Sequence, residues 1–485
     1  MPPGITIVGL GSGDPSRFTR QVWETLAQAG ELHLSFKGEL LEERLPSSWA
    51  LSLIEEVVDE QPFANDAGQA LAEHLVELGR RPQGVVWGVP GDPAQDEPEL
   101  GNLRRHAETE GLPVSVLSGI SLAAAALNAA DMSTPQGLFA VDARRLAGCH
   151  HPPFPPDKPA VIVRLTDSGL AARVHSVLLN QYPASHRILL VRSAGVSAPA
   201  VDTLTIEGLG QADSLNAFAA VLVPELEQAG AFETFQNTVA RLRAPGGCPW
   251  DQEQTHQSLR AHLMQEAYEA LAAIDTGDMA GLEEELGDLL LQLVMQAQIA
   301  TEEGVFRMAD VIGGINTKLI RRHPHVFGEV EVEGVAEVLH NWEALKEAER
   351  EKAGNGRGAL DGVPVSLPSL AQSDELQARA ARVGFDWPQI TGVKEKIAEE
   401  IGEVEAAQNP IEREAEFGDL LFALVNLARW MEVDPESALR AANQRFRRRF
   451  AGVEARARDL GRKMADMNID ELEALWQAAK AEERK

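Results

Sequence analysis

The strongest constraint on how this chain can fold is a repeated pattern of paired carboxylates. Glu266-Ala-Tyr-Glu269 is followed by Glu285-Leu-Gly-Asp288, and further on Glu400-Ile-Gly-Glu403 is followed by Glu416-Phe-Gly-Asp419. Each pair is spaced i, i+3, so on a helix both carboxylates share a face. Four carboxylates brought together from two helices repel one another unless a cation sits among them. A hard cation with oxygen ligands, Mg²⁺ or Mn²⁺, is the natural occupant.

The repeat extends beyond the acids, which marks the duplication of a whole unit. Asn316, Lys318, Arg321 and Arg322 correspond to Asn443, Arg445, Arg448 and Arg449, a shift of 127, and Trp342 and Lys346 correspond to Trp476 and Lys480, a shift of 134. Helical periodicity dominates this half. Leu259, Leu263, Ala267, Leu271 and Ile274 form one stripe, Leu286, Leu289, Leu290 and Leu293 a second, and Phe417, Leu420, Leu421 and Leu424 repeat the second. Residues 351–366, EKAGNGRGALDGVPVS, read as a linker between the copies.

A lone Glu-x-x-Glu on a helix is usually a solvated face. Here both pairs border apolar stripes, recur in order and are followed by ordered basic residues. Four carboxylates beside a Lys/Arg cluster suit a nucleotide polyphosphate: the cation neutralises phosphate charge and activates a water, a carboxylate can act as general base, and arginines hold phosphates bidentately. Ordinary alternatives stand beside this. The run 445–450 (RFRRRF) could be a basic face on an acidic protein, and Trp342 and Trp476 could pack rather than stack on a base. Cys248 in GGCPWD reads as part of a tight turn rather than a nucleophile, and His323 and His325 as structural or phosphate-contacting.

Residues 1–228 have a different character. Runs such as Ile5–Gly9, Gly84–Gly88, Pro113–Leu117, Ala160–Arg164, Arg187–Val191 and Leu222–Leu226 read as strands. They alternate with helical segments at 17–29, 66–80, 98–110 and 120–130, which implies an α/β domain with a largely parallel sheet. The stretch Pro152–Pro156 is expected to split it into two halves. Three glycine-containing loops follow strands: Gly9, Gly11, Gly13 and Asp14; Gly91, Asp92 and Pro93; and Ser118, Gly119 and Ser121. Such loops at strand C-termini fit a ligand crevice. They match neither Gly-x-Gly-x-x-Gly nor a P-loop.

The length of 485 residues requires several domains. A net charge of −30 argues against stable nucleic-acid or anionic-membrane binding. Two cysteines cannot form a disulfide framework, no apolar run reaches membrane-spanning length, and no signal peptide is evident, so a cytoplasmic protein is expected.

The acid pairs together with CPWD, RRHPHVF (321–327), VGFDW (383–387) and GDLLFALVNLAR (418–429) resemble the MazG family of nucleoside triphosphate pyrophosphohydrolases over roughly 235–485. That resemblance implies all-α bundles, a homodimer, and Mg²⁺-dependent hydrolysis of NTPs or dNTPs to monophosphate and pyrophosphate. It implies metal on Glu266, Glu269, Glu285 and Asp288 and on Glu400, Glu403, Glu416 and Asp419. Phosphates would fall to Lys318, Arg321, Arg322, Arg445, Arg448 and Arg449, with Trp476 and Lys480 also on substrate. The second copy is favoured as the catalytic one: it keeps Glu399 before Glu400, where the first has Gln265, and its basic cluster is denser. The three glycine loops resemble the tetrapyrrole (corrin/porphyrin) methylase family over 1–228, which implies S-adenosylmethionine as cofactor. The expected domains are therefore 1–228, methylase-like, and two MazG-type helical domains at 232–350 and 367–485. A methyltransferase, or a non-catalytic ligand-sensing dimerisation protein, is the alternative.

Overall fold

The structure is a computed structural model that describes residues 2–34, 50–54, 65–133, 137–192, 199–228, 230–335 and 358–482, with isolated positions between them. Lys346 and residues 351–357 of the expected linker lie outside the described residues. The chain divides into two compact units, Met1–Gln254 and Thr255–Lys485.

The first unit carries two five-stranded sheets. The first sheet contains β1 (Ile5–Gly9), β2 (Glu31–Leu34), β3 (Ala50–Leu53), β4 (Val85–Val89) and β5 (Val114–Leu117) in the order β3-β2-β4-β1-β5. Every pairing in it is parallel. Helices α1 (Arg20–Ala29), α2 (Asn65–Gly79), α3 (Leu100–Thr109) and α4 (Leu122–Ala129) alternate with its strands. All of β4 is buried, as the unbroken apolar run VVWGV requires of a central parallel strand. Thr19 opens α1 by accepting from Val22 N–H, and Gly30, at φ 72°, closes it in the left-handed region.

The second sheet contains β6 (Phe139–Asp142), β7 (Ala160–Val163), β8 (Arg187–Arg192), β9 (Ala200–Thr205) and β10 (Ala220–Val223) in the order β6-β7-β10-β8-β9. Here only β6 and β7 run parallel; the other pairings are antiparallel. The parallel sheet expected from the sequence is thus the first of two. The Pro-rich stretch does not divide them, because β6 precedes it and already belongs to the second sheet. Phe154 within that stretch is buried in the second core, among Leu146, Ile162, Leu178 and Tyr182. Strand β10 ends at Val223 rather than running on to Leu226, since Pro224 has no N–H to donate. Helix α5 (Ala143–Ala147) and helix α6 (Ser168–Leu178) pack on this sheet, and α7 (Phe232–Arg243) follows it.

The second unit is helical. Its first copy of the repeat holds α8 (Arg260–Thr276), α9 (Met279–Glu302) and α10 (Met308–Arg322). Its second holds α11 (Ser369–Arg382), α12 (Ile390–Ala406), α13 (Pro410–Trp430), α14 (Pro435–Asp459) and α15 (Ile469–Glu482). By order, α11 corresponds to α7. The two fall differently, for α11 packs on α13 and α14 while α7 belongs to the first unit. The copies touch through α14 and α8, where Arg440 lies over the Tyr268 ring at 5.5 Å. Among the described residues no helix is long and apolar enough to cross a membrane.

Many stripe residues stay exposed in the single chain. Ile274, Leu286 and Leu293 are each more than half exposed, as is Phe417, and Leu421 and Leu424 are 43% exposed. The buried residues of α9 lie instead in its C-terminal half: Gln292, Val294, Met295, Ala297, Ile299 and Ala300.

Candidate functional site

Short connections build each acid site. Helix α8 ends on Gly277, whose φ of 71° lies in the left-handed region that favours glycine, and Asp278 caps α9 by accepting from Gly281 N–H. Two residues therefore turn the chain back, and α9 lies along α8. In the second copy Asn409 caps α13 ahead of Pro410, and α13 lies along α12. The two acid pairs of each copy come face to face. Carboxylate oxygens of Glu266, Glu285 and Asp288 lie within 4.8 Å of one another, as do those of Glu400, Glu416 and Asp419.

The fourth carboxylate of each set, Glu269 or Glu403, stands outside these trios but close enough to be felt. Lost hydration raises Glu266, Glu285 and Glu416 above the ordinary carboxylate range, and neighbouring carboxylates add to it. Glu269 contributes at the first two and Glu403 at the third. Gln265, which replaces an acid found in the second copy, donates to Glu269 Oε1 at 3.2 Å. Where a Cβ would stand at Gly287, Gly402 and Gly418 there is open space, so nothing crowds these motifs.

Glu400 is the most informative of the eight. It is only 4% exposed. Its Oε1 takes a 2.8 Å ion pair from Lys396 Nζ, while its Oε2 is buried with no hydrogen-bond partner among the described residues. A buried carboxylate oxygen left so is costly unless a donor or a cation meets it. The donor set of Glu400, Glu416 and Asp419, all hard oxygens, fits Mg²⁺ or Mn²⁺. Lys396 carries no motif of its own in the sequence; its i, i+4 spacing ahead of Glu400 is the one signal that points to this ion pair. The first copy has His262 in that place.

The basic residues sit on the helices that follow: Lys318, Arg321 and Arg322 on α10, Arg445, Arg448 and Arg449 on α14, with Trp476 and Lys480 on α15. Arg321 and Arg322 both bind the Glu349 carboxylate, at 2.5 Å each, and Arg322 lies 5.5 Å over Trp342. Arg449 lies over Trp476, whose ring also meets Phe446 at 5.3 Å. Both tryptophans thus have packing partners of their own. His323 Nδ1 lies 2.7 Å from Leu319 O, a local structural contact. Cys248 does sit in a tight turn: its N–H donates to Leu242 O, and a Cβ on Gly247 would stand 2.2 Å from that same oxygen.

In the first unit the three glycine loops meet. Gly11 and Gly91 exchange backbone hydrogen bonds, and Gly119 N–H donates to Asp92 Oδ2 at 3.1 Å. A Cβ on Gly9 would stand 2.5 Å from Gly119 N and 2.7 Å from Gly91 O, and one on Gly119 would stand 2.4 Å from Gly91 O. These glycines are therefore required by the approach of loop to loop. Asp14 and Asp92 cap the short helical turns that begin at Pro15 and Pro93, and Ser121 caps α4. Ser118 is exposed. Ser12, in the same loop as Gly11, is 1% exposed with its hydroxyl unpartnered among the described residues.

Two buried acidic features beside these loops were missed in the sequence. Asp96 Oδ2 accepts from both Asp92 N–H and Leu122 N–H, which ties the second loop to α4. Burial raises its pKa against the pull of those two donors. Arg164, at φ 61° and 4% exposed, binds Glu97 at 2.9 Å and also Asp142. Burial works against its charge, but the two carboxylates outweigh it and hold the guanidinium firmly protonated. These acids come from segments far apart in sequence, with no periodicity to link them.

The fold and the paired acid hairpins define a two-part protein, an α/β unit in which three glycine loops meet, ahead of a helical unit with clustered carboxylates. Comparison with known proteins agrees with that division. The tetrapyrrole (corrin/porphyrin) methylase family matches residues 4–206, and the MazG nucleotide pyrophosphohydrolase domain matches residues 254–327. The chain is 36% identical to the YabN protein of Bacillus subtilis over 99% of both chains. It is 43% identical to the nucleoside triphosphate pyrophosphohydrolase/pyrophosphatase MazG of Thermotoga maritima, covering 53% of this chain and 98% of that protein. It is 45% identical to the nucleoside triphosphate pyrophosphohydrolase of Escherichia coli K12, covering 50% and 94%. The chain belongs to the MazG family, in a form that carries a tetrapyrrole methylase domain at its N-terminal end.

Proposed function

We propose that the protein hydrolyses nucleoside triphosphates to monophosphate and pyrophosphate with Mg²⁺ or Mn²⁺ held by its acid hairpins. The observation that carries this is the buried Oε2 of Glu400, without a hydrogen-bond partner among the described residues, beside Glu416 and Asp419. Glu400, Glu416 and Asp419 would hold the cation in the second copy, and Glu266, Glu285 and Asp288 in the first. When bound, the cation supplies charge neutralisation of the polyphosphate and a more acidic water. Glu403, and Glu269 in the first copy, remain beside the trio to complete the ligand set or take the water's proton. Lys318, Arg321, Arg322, Arg445, Arg448, Arg449 and Lys480 bind phosphate oxygens, and Trp476 offers an aromatic face to the base. The second copy is the catalytic one.

The exposed stripes on α9 and α13 support a homodimer, since a monomer rarely leaves so much apolar surface in water. The net charge of −30 supports a protein that does not bind nucleic acid stably. A cytoplasmic location fits two unpaired cysteines. The test is incubation of the full chain with a panel of NTPs and dNTPs, with and without Mg²⁺, resolving the products. Monophosphate and pyrophosphate, lost with chelator, support the proposal; diphosphate and orthophosphate refute it.

A second reading concerns the first unit. The buried hydroxyl of Ser12 in the loop Gly9–Asp14 supports a ligand there, and S-adenosylmethionine is the one proposed. The proposal is binding alone, with no role in methyl transfer assigned to any described residue. Calorimetric titration with S-adenosylmethionine tests it, and no heat at millimolar ligand would dismiss it.

A further inference from the structure

The arginines assigned to phosphate on α10 are held by a residue that the sequence did not single out. Glu349 reaches both. Its Oε1 lies 2.5 Å from Arg321 Nη2, and its Oε2 lies 2.5 Å from Arg322 Nη2. Arg322 Nε also donates to Glu349 Oε1 at 3.3 Å, so that guanidinium is gripped side-on, by Nε and Nη2. The Trp342 ring lies beneath it, 5.5 Å from the guanidinium carbon. Side-on pairing and ring contact together set the plane of the guanidinium. The far edge, Nη1 with the second N–H of Nη2, lies outside the pair and has the fork geometry that a phosphate takes bidentately.

Resting on the reading of these arginines as phosphate ligands, we propose that Glu349 is a positioning residue: it orients Arg321 and Arg322 so that a polyphosphate meets a preset fork instead of two loose side chains. Without it, both would have to be ordered on binding, at a cost in affinity. The sequence carries the same arrangement twice. Trp342, Lys346 and Glu349 recur at a constant shift as Trp476, Lys480 and Glu483, although Glu483 lies outside the described residues.

The proposal makes a prediction opposite in sign to simple electrostatics. Glu349→Gln removes a negative charge beside two arginines. If Glu349 merely competed with phosphate for them, the substitution would tighten anion binding. If it positions them, binding weakens. The experiment is calorimetric titration of the full chain with inorganic triphosphate at constant Mg²⁺, using the wild type, Glu349→Gln, Arg322→Lys and the double variant. Melting curves confirm that each is folded. Glu349→Gln should weaken binding by about fivefold, the scale of ordering a long side chain. Arg322→Lys keeps the charge but lacks the planar fork, so it should weaken binding as well, and the double variant should be little worse than Arg322→Lys alone. Glu349→Asp, which keeps the charge, should recover part of the loss. Tighter binding by Glu349→Gln would overturn the proposal. Unchanged binding in Glu349→Gln with weaker binding in Arg322→Lys would overturn it too, while leaving the arginines as phosphate ligands. No change in any variant would dismiss the arginine assignment and the proposal together.

Discussion

Gly9→Ala tests the loop junction of the first unit with one methyl group. Gly9 is absent from the residues with positive φ, so alanine suits its backbone and the effect is steric alone. The added carbon would stand 2.5 Å from Gly119 N, 2.7 Å from Gly91 O and 2.8 Å from Pro93 Cδ. Ordinary contact begins near 3.4 Å, so the loops must part by most of an ångström. Two of the three atoms are backbone and cannot turn aside. Gly91 is tied to Gly11, and Gly119 to Asp92, by hydrogen bonds that the shift would stretch. Overpacking of this kind costs about 1–3 kcal/mol. Loss of the Gly119–Asp92 hydrogen bond adds about 1 kcal/mol, so the expected loss is roughly 2–4 kcal/mol in the first unit. In a unit of this size that lowers its melting temperature by about 5–15 °C. Differential scanning calorimetry of the full chain should show the transition of the first unit moving down and that of the helical unit staying put. A melting temperature for the first unit within 1 °C of wild type would refute the reasoning.

Other expectations follow from single features. Glu403→Gln should abolish nucleotide hydrolysis while Glu269→Gln leaves most of it, and the reverse pattern in a steady-state assay would move catalysis to the first copy. Glu266, Glu285 and Glu416 have pKa values raised in the fold, so their protonation favours it: that stability is full below the ordinary carboxylate value of about 4.3 and is lost as pH rises through the raised values. Mg²⁺ should therefore raise the melting temperature more at neutral pH than in acid below the ordinary carboxylate value of about 4.3, and a rise undiminished below that value would contradict a carboxylate site. Arg164→Met would strand Glu97 and Asp142 in the interior at a cost of about 3–5 kcal/mol, seen as a lower denaturant midpoint with helical-unit activity retained.

Much of this protein was determined by sequence features that act locally. Alternating apolar runs and helical stripes depend on a period of two or of 3.6, which holds whatever the strand or helix later packs against. The acid pairs were readable for the same reason: the i, i+3 spacing puts Glu266 with Glu269, and Glu416 with Asp419, on one face before any tertiary contact forms. Gly277 and Asp278, like Asn409 and Pro410, carry the stop and start signals that turn each hairpin. The duplication was visible because it needs only comparison of the chain with itself.

The tertiary structure decided what depends on residues distant in the chain. Sheet membership was one such matter: β6 joins the second sheet by pairing with β7, and the proline run, expected from the sequence to mark the divide, buries Phe154 in the second core. The purpose of Gly9 and Gly119 was another, since the backbone they admit belongs to two other loops. The grip of Glu349 on Arg321 and Arg322 joins segments 27 residues apart, and the cluster of Arg164, Glu97 and Asp142 joins segments 67 and 22 residues apart. Local periodicity says which face a side chain occupies. Only the fold says which other side chain it meets there, because that depends on loop closures and sheet order that no short window of sequence contains.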